Sequence, residues 1–174
     1  MSKKENARCI LCESTNNLVS FPFTIIFNSS KFDHRQCQDC HCVFIDPMPS
    51  EDDFKKIYQS ESYHEEHYVD NDLSEYIKSA KLLSEFIIPN QSNVLDYGCG
   101  YGQFLKALSE IGFKAEGLEF DKDACTKASD YSGCDVRQIT ELSSLCNKDF
   151  QAIHLGDVLE HLPNPRETLR QLIS

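Results

Sequence analysis

The spacing of apolar and polar positions changes character along the chain. Up to residue 49, short β-prone runs, "LVSFPFTIIF" and "CVFID", stand between polar turns and read as strands of a small sheet. From Leu73 the apolar residues recur at helical spacing (Leu73, Tyr76, Ile77, Ala80, Leu83, Ile87) until Pro89 stops the stripe, and this helix is expected to pack against the sheet that follows. The segment "NVLDYG" then reads as a buried parallel strand with its carboxyl end at Asp96, and "YGQFLKALSEIG" as a helix ended by Gly112. A second strand, "FKAEGLEFD", ends at Glu119; Asp121 or Asp123 opens a helix to Tyr131, with Gly133 after it. A third, weaker strand lies near "DVRQI", and "FQAIHLGD" forms a fourth that ends at Asp157. Asn164, Pro165 and Glu167 have the chemistry of an N-cap, a first helical position and a capping box for the last helix. The pattern predicts an α/β fold with a parallel sheet of about four strands behind a small β-rich head. We place the boundaries at 1–49 for the head, 50–89 for an acidic helical linker and lid, and 90–174 for the α/β domain.

Composition narrows the partners. With 28 acidic against 17 basic residues the formal charge is -11, a field that repels phosphate backbones and anionic lipids, so neither nucleic acid nor membrane is an expected partner. The longest apolar runs are too short to cross a bilayer, and "MSKKENARC" lacks the apolar core of a signal peptide, which predicts a soluble, cytoplasmic protein. Cysteines are more natural there as metal ligands, core residues or reactive thiols than as disulfides. Five of the nine fall before residue 43. "CILC" and "CQDC" are two Cys-x-x-Cys knuckles, 24 residues apart, and Cys9, Cys12, Cys37 and Cys40 supply the four sulfurs that tetrahedral zinc prefers. Cys42, His34 and His41 are substitute ligands, and disulfides or free core thiols the alternative. Four thiolates leave no open position for water, so a zinc-ribbon head of this kind folds around a structural ion.

Between Glu51 and Glu75 nine acids stand against two lysines, the composition of a solvated face. Ser50 can cap a helix whose first turn carries Glu51, Asp52 and Asp53. Within the same stretch, "YQSESYHEEHY" collects Tyr58, Tyr63, Tyr68, His64 and His67, either to line a polar pocket or to half-bury rings on a surface helix.

The chemistry concentrates at "NVLDYGCGYGQFL". Gly98, Gly100 and Gly102 remove side chains where backbone approaches a ligand closely or takes positive φ. Their spacing is Gly-x-Gly-x-Gly, unlike the Gly-x-Gly-x-x-Gly of dinucleotide enzymes, and Asp96 precedes the turn. A pyrophosphate wants unopposed amide hydrogens, whereas an acid in this place favours a ligand with positive charge. S-adenosylmethionine carries an ammonium and a sulfonium and no phosphate. Glu119, 23 residues beyond Asp96, stands where a strand-terminal acid accepts from both ribose hydroxyls of an adenosine ligand, and Ile139 and Thr140 stand where an adenine ring lies. Glu160 and His161 fall on the turn after the fourth strand, on the ligand side of open α/β sheets, and His161 is suited to moving a proton near neutral pH.

"VLDYGCGYGQFL", "GLEFD" and "LGDVLEHLPNP" resemble the motifs of class I S-adenosylmethionine-dependent methyltransferases. The head resembles the N-terminal zinc-binding domain of a bacterial subgroup that includes sugar C-methyltransferases, with "DPMPSEDDFKKIYQSESY" in the place of its proline and tyrosine segment. The resemblance implies a Rossmann-like parallel sheet of the class I type. It implies that Asp96, Gly98, Cys99, Gly100, Glu119, Phe120 and Thr140 bind the cofactor, and that Asp157 and its neighbour Val158 flank the methionine part. It further implies that Tyr63 covers the site, so Tyr63 and His161 are the catalytic candidates. The family sheet has seven strands, whereas this chain ends one helix after its fourth, which leads us to expect a fragment or a truncation whose open sheet edge is covered by a missing C-terminal portion or a second copy. The expected function is methyl transfer to a small molecule, with a sugar nucleotide implied by the subgroup. A zinc-ribbon protein whose α/β half binds cofactor or a protein without turnover is the alternative. A nicotinamide-dependent oxidoreductase is disfavoured by the glycine spacing.

Overall fold

The computed structural model describes residues 7–50, 52, 53, 56, 72–139 and 149–173. They group into two compact units, one drawn from Met1–Tyr63 with His161–Arg170, the other from His64–Glu160 with Gln171–Ser174. No helix among the described residues is long and apolar enough to cross a membrane.

The first unit holds an antiparallel four-stranded arrangement of β1 (Asn17–Val19), β2 (Ile25–Phe27), β3 (Ser30–Cys37) and β4 (Val43–Asp46). β3 pairs with all three of the others. β2 turns into β3 through Asn28 and Ser29, both at positive φ, the backbone that a two-residue hairpin turn with the right-handed twist of its strands demands. Where apolar burial is scarce, polar side chains lock the strands. Arg35 donates to Asp46 at 2.7 Å and to Asn17 at 3.1 Å, and Thr24 donates to Asp33 at 2.7 Å. Among the described residues one small buried cluster is Cys9, Cys37 and Phe44, and Phe32 of β3 is buried as well. Beyond β4, Ser50 accepts from the Asp53 amide at 3.2 Å, and the Asp53 carboxylate accepts in return from the Ser50 amide at 3.0 Å, a reciprocal cap of the kind expected there. Arg166 also belongs to this unit and pairs with Glu13, whose carboxyl it holds below its ordinary value.

The second unit is a parallel sheet flanked by helices. Its elements are α1 (Ser74–Leu83), β5 (Asn93–Tyr97), α2 (Gln103–Ile111), β6 (Lys114–Glu119), α3 (Lys122–Ser132), β7 (Asp135–Gln138) and β8 (Ala152–His154). A 3-10 turn, Leu159–His161, leads to the last helix, α4 (Pro165–Leu172), which up to Arg170 groups with the first unit. The strand order is β7-β6-β5-β8, and every pair is parallel. The chain therefore winds outward from β5 to β7 and then crosses back to β8 on the other side of β5. Such a reversal opens a crevice at the carboxyl ends of the strands, between β5 and β8.

Two apolar clusters hold the layers. Ala80 of α1 meets Phe104, Ala107 and Leu108 of α2, with Val94 of β5 and Phe113, while Cys99, Leu105 of α2 and Ala128 of α3 form the second. α2 serves both because its apolar residues recur at three and four positions. Gly112, at φ 97°, ends α2 in the left-handed conformation, as expected of a glycine there. Two elements differ from the sequence reading. α1 stops at Leu83, although Leu83 and Ile87 still pack in the core. β8 stops at His154, because Asp157 takes positive φ (52°) and the chain turns away before reaching it.

Candidate functional site

The carboxyl ends of β5 and β6 build the site around the glycine turn. Gly98, Gly100 and Gly102 all have positive φ, at 77°, 55° and 87°. Two of them are also spatially required. A Cβ on Gly98 would stand 2.5 Å from Val158 Cγ2, and one on Gly102 would stand 2.9 Å from the Ala128 carbonyl oxygen of α3. The turn is tied to β6 through the amides of Gly98 and Cys99, which donate to the Leu118 carbonyl at 2.7 and 3.1 Å.

Glu119, at the end of β6, is only 9% exposed and reaches across to the turn. One carboxylate oxygen accepts from the Gly100 amide at 2.9 Å, the other from the amides of Phe120 at 2.6 Å and Asp121 at 3.1 Å. Three backbone donors fix the position of the carboxylate, and each oxygen retains lone-pair capacity for a further hydroxyl.

Asp96 is 3% exposed, and its Oδ1 lies 2.7 Å from Nδ1 of His154, its register partner on β8. Burial pushes this carboxyl above its ordinary value, and His154 opposes the push. Cys99 lies buried between the two acids; burial, then Asp96 and Glu119, raise its thiol far above the ordinary value, so it is a packing group and not a nucleophile. His154 was not singled out by the sequence reading. Only the pairing register of β5 with β8 brings it to Asp96, and no local sequence signal carries that register.

The other expected site residues fall as follows. Phe120 is half exposed and meets Tyr97 edge-on at 5.8 Å between ring centroids. Val158 is buried and covers Gly98, and Asp157 is exposed just before it. His161 closes the 3-10 turn, half-buried, and begins the segment grouped with the first unit. Tyr63 and Thr140 lie outside the described residues, as do Tyr58, Tyr68, His64 and His67.

In the first unit, the sulfurs of Cys9, Cys12, Cys37 and Cys40 lie within 4.8 Å of one another. Two of the separations, Cys9 to Cys40 and Cys12 to Cys37, are 3.5 Å, close to the edge of about 3.8 Å that a zinc tetrahedron with its usual sulfur bonds requires. Both knuckles have the same backbone. The fourth residue after the leading cysteine, Glu13 or His41, has φ of 63° or 62° and donates back to that cysteine's carbonyl at 2.9 or 3.0 Å. The leading cysteine's own amide donates to the residue after that, Ser14 or Cys42, at 2.9 Å in both. Asp39 of the second knuckle accepts from Ser14 and Asn16 beyond the first, holding the two together. The backbone amides of Cys40 and Asp39 hold the Cys37 thiol down at about 7, while the Cys12 and Cys40 thiols, crowded by the neighbouring sulfurs, are pushed up. Cys42, His34 and His41 are not among the four clustered ligands. The donor set and its spacing fit a closed, four-coordinate thiophilic ion.

No curated protein matches the chain. Among solved structures, it is similar to the plantazolicin methyltransferase BpumL in complex with SAH, at 25% identity and a TM-score of 0.45, over 58% of this chain and 40% of that one. It is also similar to the sugar N-methyltransferase KedS8 from Streptoalloteichus sp. ATCC 53650, at 22% identity and a TM-score of 0.42, over 49% of this chain and 35% of that one. A third is a TehB-like SAM-dependent methyltransferase from Corynebacterium glutamicum, at 24% identity and a TM-score of 0.39, over 44% of this chain and 42% of that one. The chain thus spans less than half of each of these proteins. A family model described as a methyltransferase domain matches residues 65–174, which include the glycine turn, Glu119 and the whole parallel sheet. With more than half of its length matched, the chain belongs to the methyltransferase-domain family.

Proposed function

We propose that the second unit binds S-adenosylmethionine and serves methyl transfer to a small molecule. The observation that carries this reading is the bond from the Gly100 amide to Glu119, which sets a buried acid against the glycine turn. A carboxylate so held suits the two ribose hydroxyls, and Asp96 offers negative charge for an ammonium. Gly98, Cys99 and Gly100 contribute backbone, Phe120 and Thr140 flank the adenine, and Asp157 with Val158 borders the methionine end. When bound, the cofactor supplies an electrophilic methyl group. The chain's own work is to position it, with His161 and Tyr63 as candidates for moving a proton from an acceptor that must lose one.

We assign zinc to the four thiols as a structural ion, and a sugar nucleotide as the acceptor class, the latter on the resemblance of the head alone. The protein is taken to act in the cytoplasm. β8 is an edge of the sheet among the described residues, and a second copy or further polypeptide would cover it.

Calorimetric titration of S-adenosylmethionine and S-adenosylhomocysteine into the folded chain tests the reading. Saturable binding is expected, lost in Asp96→Asn and Glu119→Gln while zinc content stays unchanged. Undiminished affinity in both variants would overturn the site assignment, and binding of NAD in place of S-adenosylmethionine would overturn the cofactor.

A further inference from the structure

β5 and β8 lie side by side where the strand order reverses, and Asp96 and His154 are direct cross-strand partners there. Registered neighbours in a sheet project from the same face, which brings Nδ1 to within 2.7 Å of Oδ1. The imidazole is held on two more sides. The Phe104 ring of α2 stacks on it at 4.0 Å between centroids, and a Cβ on Gly156 would stand 2.5 Å from His154 Cε1, so the ring occupies space that a side chain at 156 would need.

This clamp answers a physical difficulty. A carboxylate as buried as Asp96 tends to take up a proton unless donors hold it ionised. Glu119 accepts from three backbone amides. Among the described residues, Asp96 has the His154 ring alone. An ionised carboxylate can only accept, so holding Asp96 in that form requires the hydrogen on Nδ1.

We propose that His154 is a positioning residue of the cofactor site: its Nδ1–H keeps Asp96 ionised inside the crevice, where the carboxylate receives the cofactor's ammonium group. The inference rests on the cofactor reading given above. Around the pair, α2 contributes the apolar Phe104 ring, the turn contributes the protonated Cys99 thiol, and β6 contributes Glu119, which acts on the same thiol. Among the described residues, His154 is the titratable side chain that bears on the Asp96 carboxyl.

The sign of the pH effect follows. Without the donor, burial acts on Asp96 unopposed and its carboxyl titrates at higher pH, so affinity for an ammonium ligand falls earlier as pH is lowered. S-adenosylhomocysteine isolates this contact, because it keeps the ammonium and lacks the sulfonium. We would titrate it calorimetrically between about pH 8.5 and 5.5 into the full wild-type chain, His154→Gln and His154→Leu. In His154→Leu the affinity should begin to fall at higher pH than in wild type, approaching tenfold per pH unit once Asp96 is mostly protonated. His154→Gln, which retains a donor, should move back toward the wild-type profile. Identical profiles, or a weakening of His154→Leu that is the same at every pH, would overturn the proposal.

A second measurement needs no variant. Nitrogen-15 NMR of the wild-type imidazole should show the neutral ring protonated on Nδ1, and a ring protonated on Nε2 alone would equally overturn it. If folded wild-type chain binds S-adenosylhomocysteine at no pH, the cofactor reading itself fails and takes this role with it.

Discussion

Gly102 and Gly133 both sit at positive φ at a helix boundary, yet they differ in what surrounds them. At Gly102 an added Cβ would press on the backbone of Ala128, 2.9 Å from its carbonyl oxygen, which cannot swing aside as a side chain would. At Gly133 nothing lies within 4 Å. Gly133→Ala should therefore cost only the left-handed strain, ~1 kcal/mol, whereas Gly102→Ala adds the displacement of α3 from α2 and should cost ~2–4 kcal/mol. Urea unfolding of the two variants measures the difference, and equal losses would mean that backbone conformation, not close approach, selects glycine at 102. The site residues sort by the same logic of what is local. Gly98, Gly100 and Glu119 were legible because a turn and a strand-terminal acid are features of one short segment each. His154 was not, since its role arises from a neighbour 58 positions earlier in sequence.

At the scale of elements, capping and periodicity carried most of the reading. Asp121, with extended backbone, accepts from the Ala124 amide at 2.8 Å and starts α3 where an acid was expected to. Asp121→Ala should lower stability by ~1 kcal/mol, seen as a lower urea midpoint without a change in slope; no change would show that packing of Ala124 and Ala128 alone fixes the start of this helix. β5 was evident because a strand with a buried centre reads as an apolar run, here Val94 and Leu95. β3 was not evident. Its sequence, SKFDHRQC, has no hydrophobic alternation to reveal it, although it is the strand to which the rest of the head pairs. In so small a unit, register is set by the Asn28–Ser29 turn, by the Arg35 contacts with Asp46 and Asn17, and by the knuckle that begins at Cys37, none of which is a hydrophobic pattern. The run "LVSFPFTIIF" likewise divides into β1 and β2 with an irregular stretch between, because each pairs with a different half of β3.

The two units differ in what holds them together as bodies. The second has two apolar clusters linked through α2, enough interior for a sheet with helices against it. Among its described residues the first buries few apolar side chains, the cluster of Cys9, Cys37 and Phe44 with Phe32 and Leu162 besides, and exposes Leu18, Val19, Phe23 and Ile26, so apolar burial contributes little against the entropy of ordering its strands. Two of these, Cys9 and Cys37, are proposed metal ligands. Binding a thiophilic ion and folding the head should then be one event, with the free energy of the metal appearing as folding free energy. Excess chelator at neutral pH should abolish hydrogen-exchange protection of the β3 amides while leaving that of β5 and β6 in place, and adding zinc back should restore it. A Cys9→Ser variant should show the same selective loss without chelator, because three thiolates and a hydroxyl hold zinc far less tightly than four thiolates. If β3 stays protected after the metal is gone, the twin knuckles and the Asp39 bonds to Ser14 and Asn16 suffice to fold the head. If β5 and β6 lose protection together with it, the two units unfold as a single cooperative body, and the metal supports the cofactor site as well as the head.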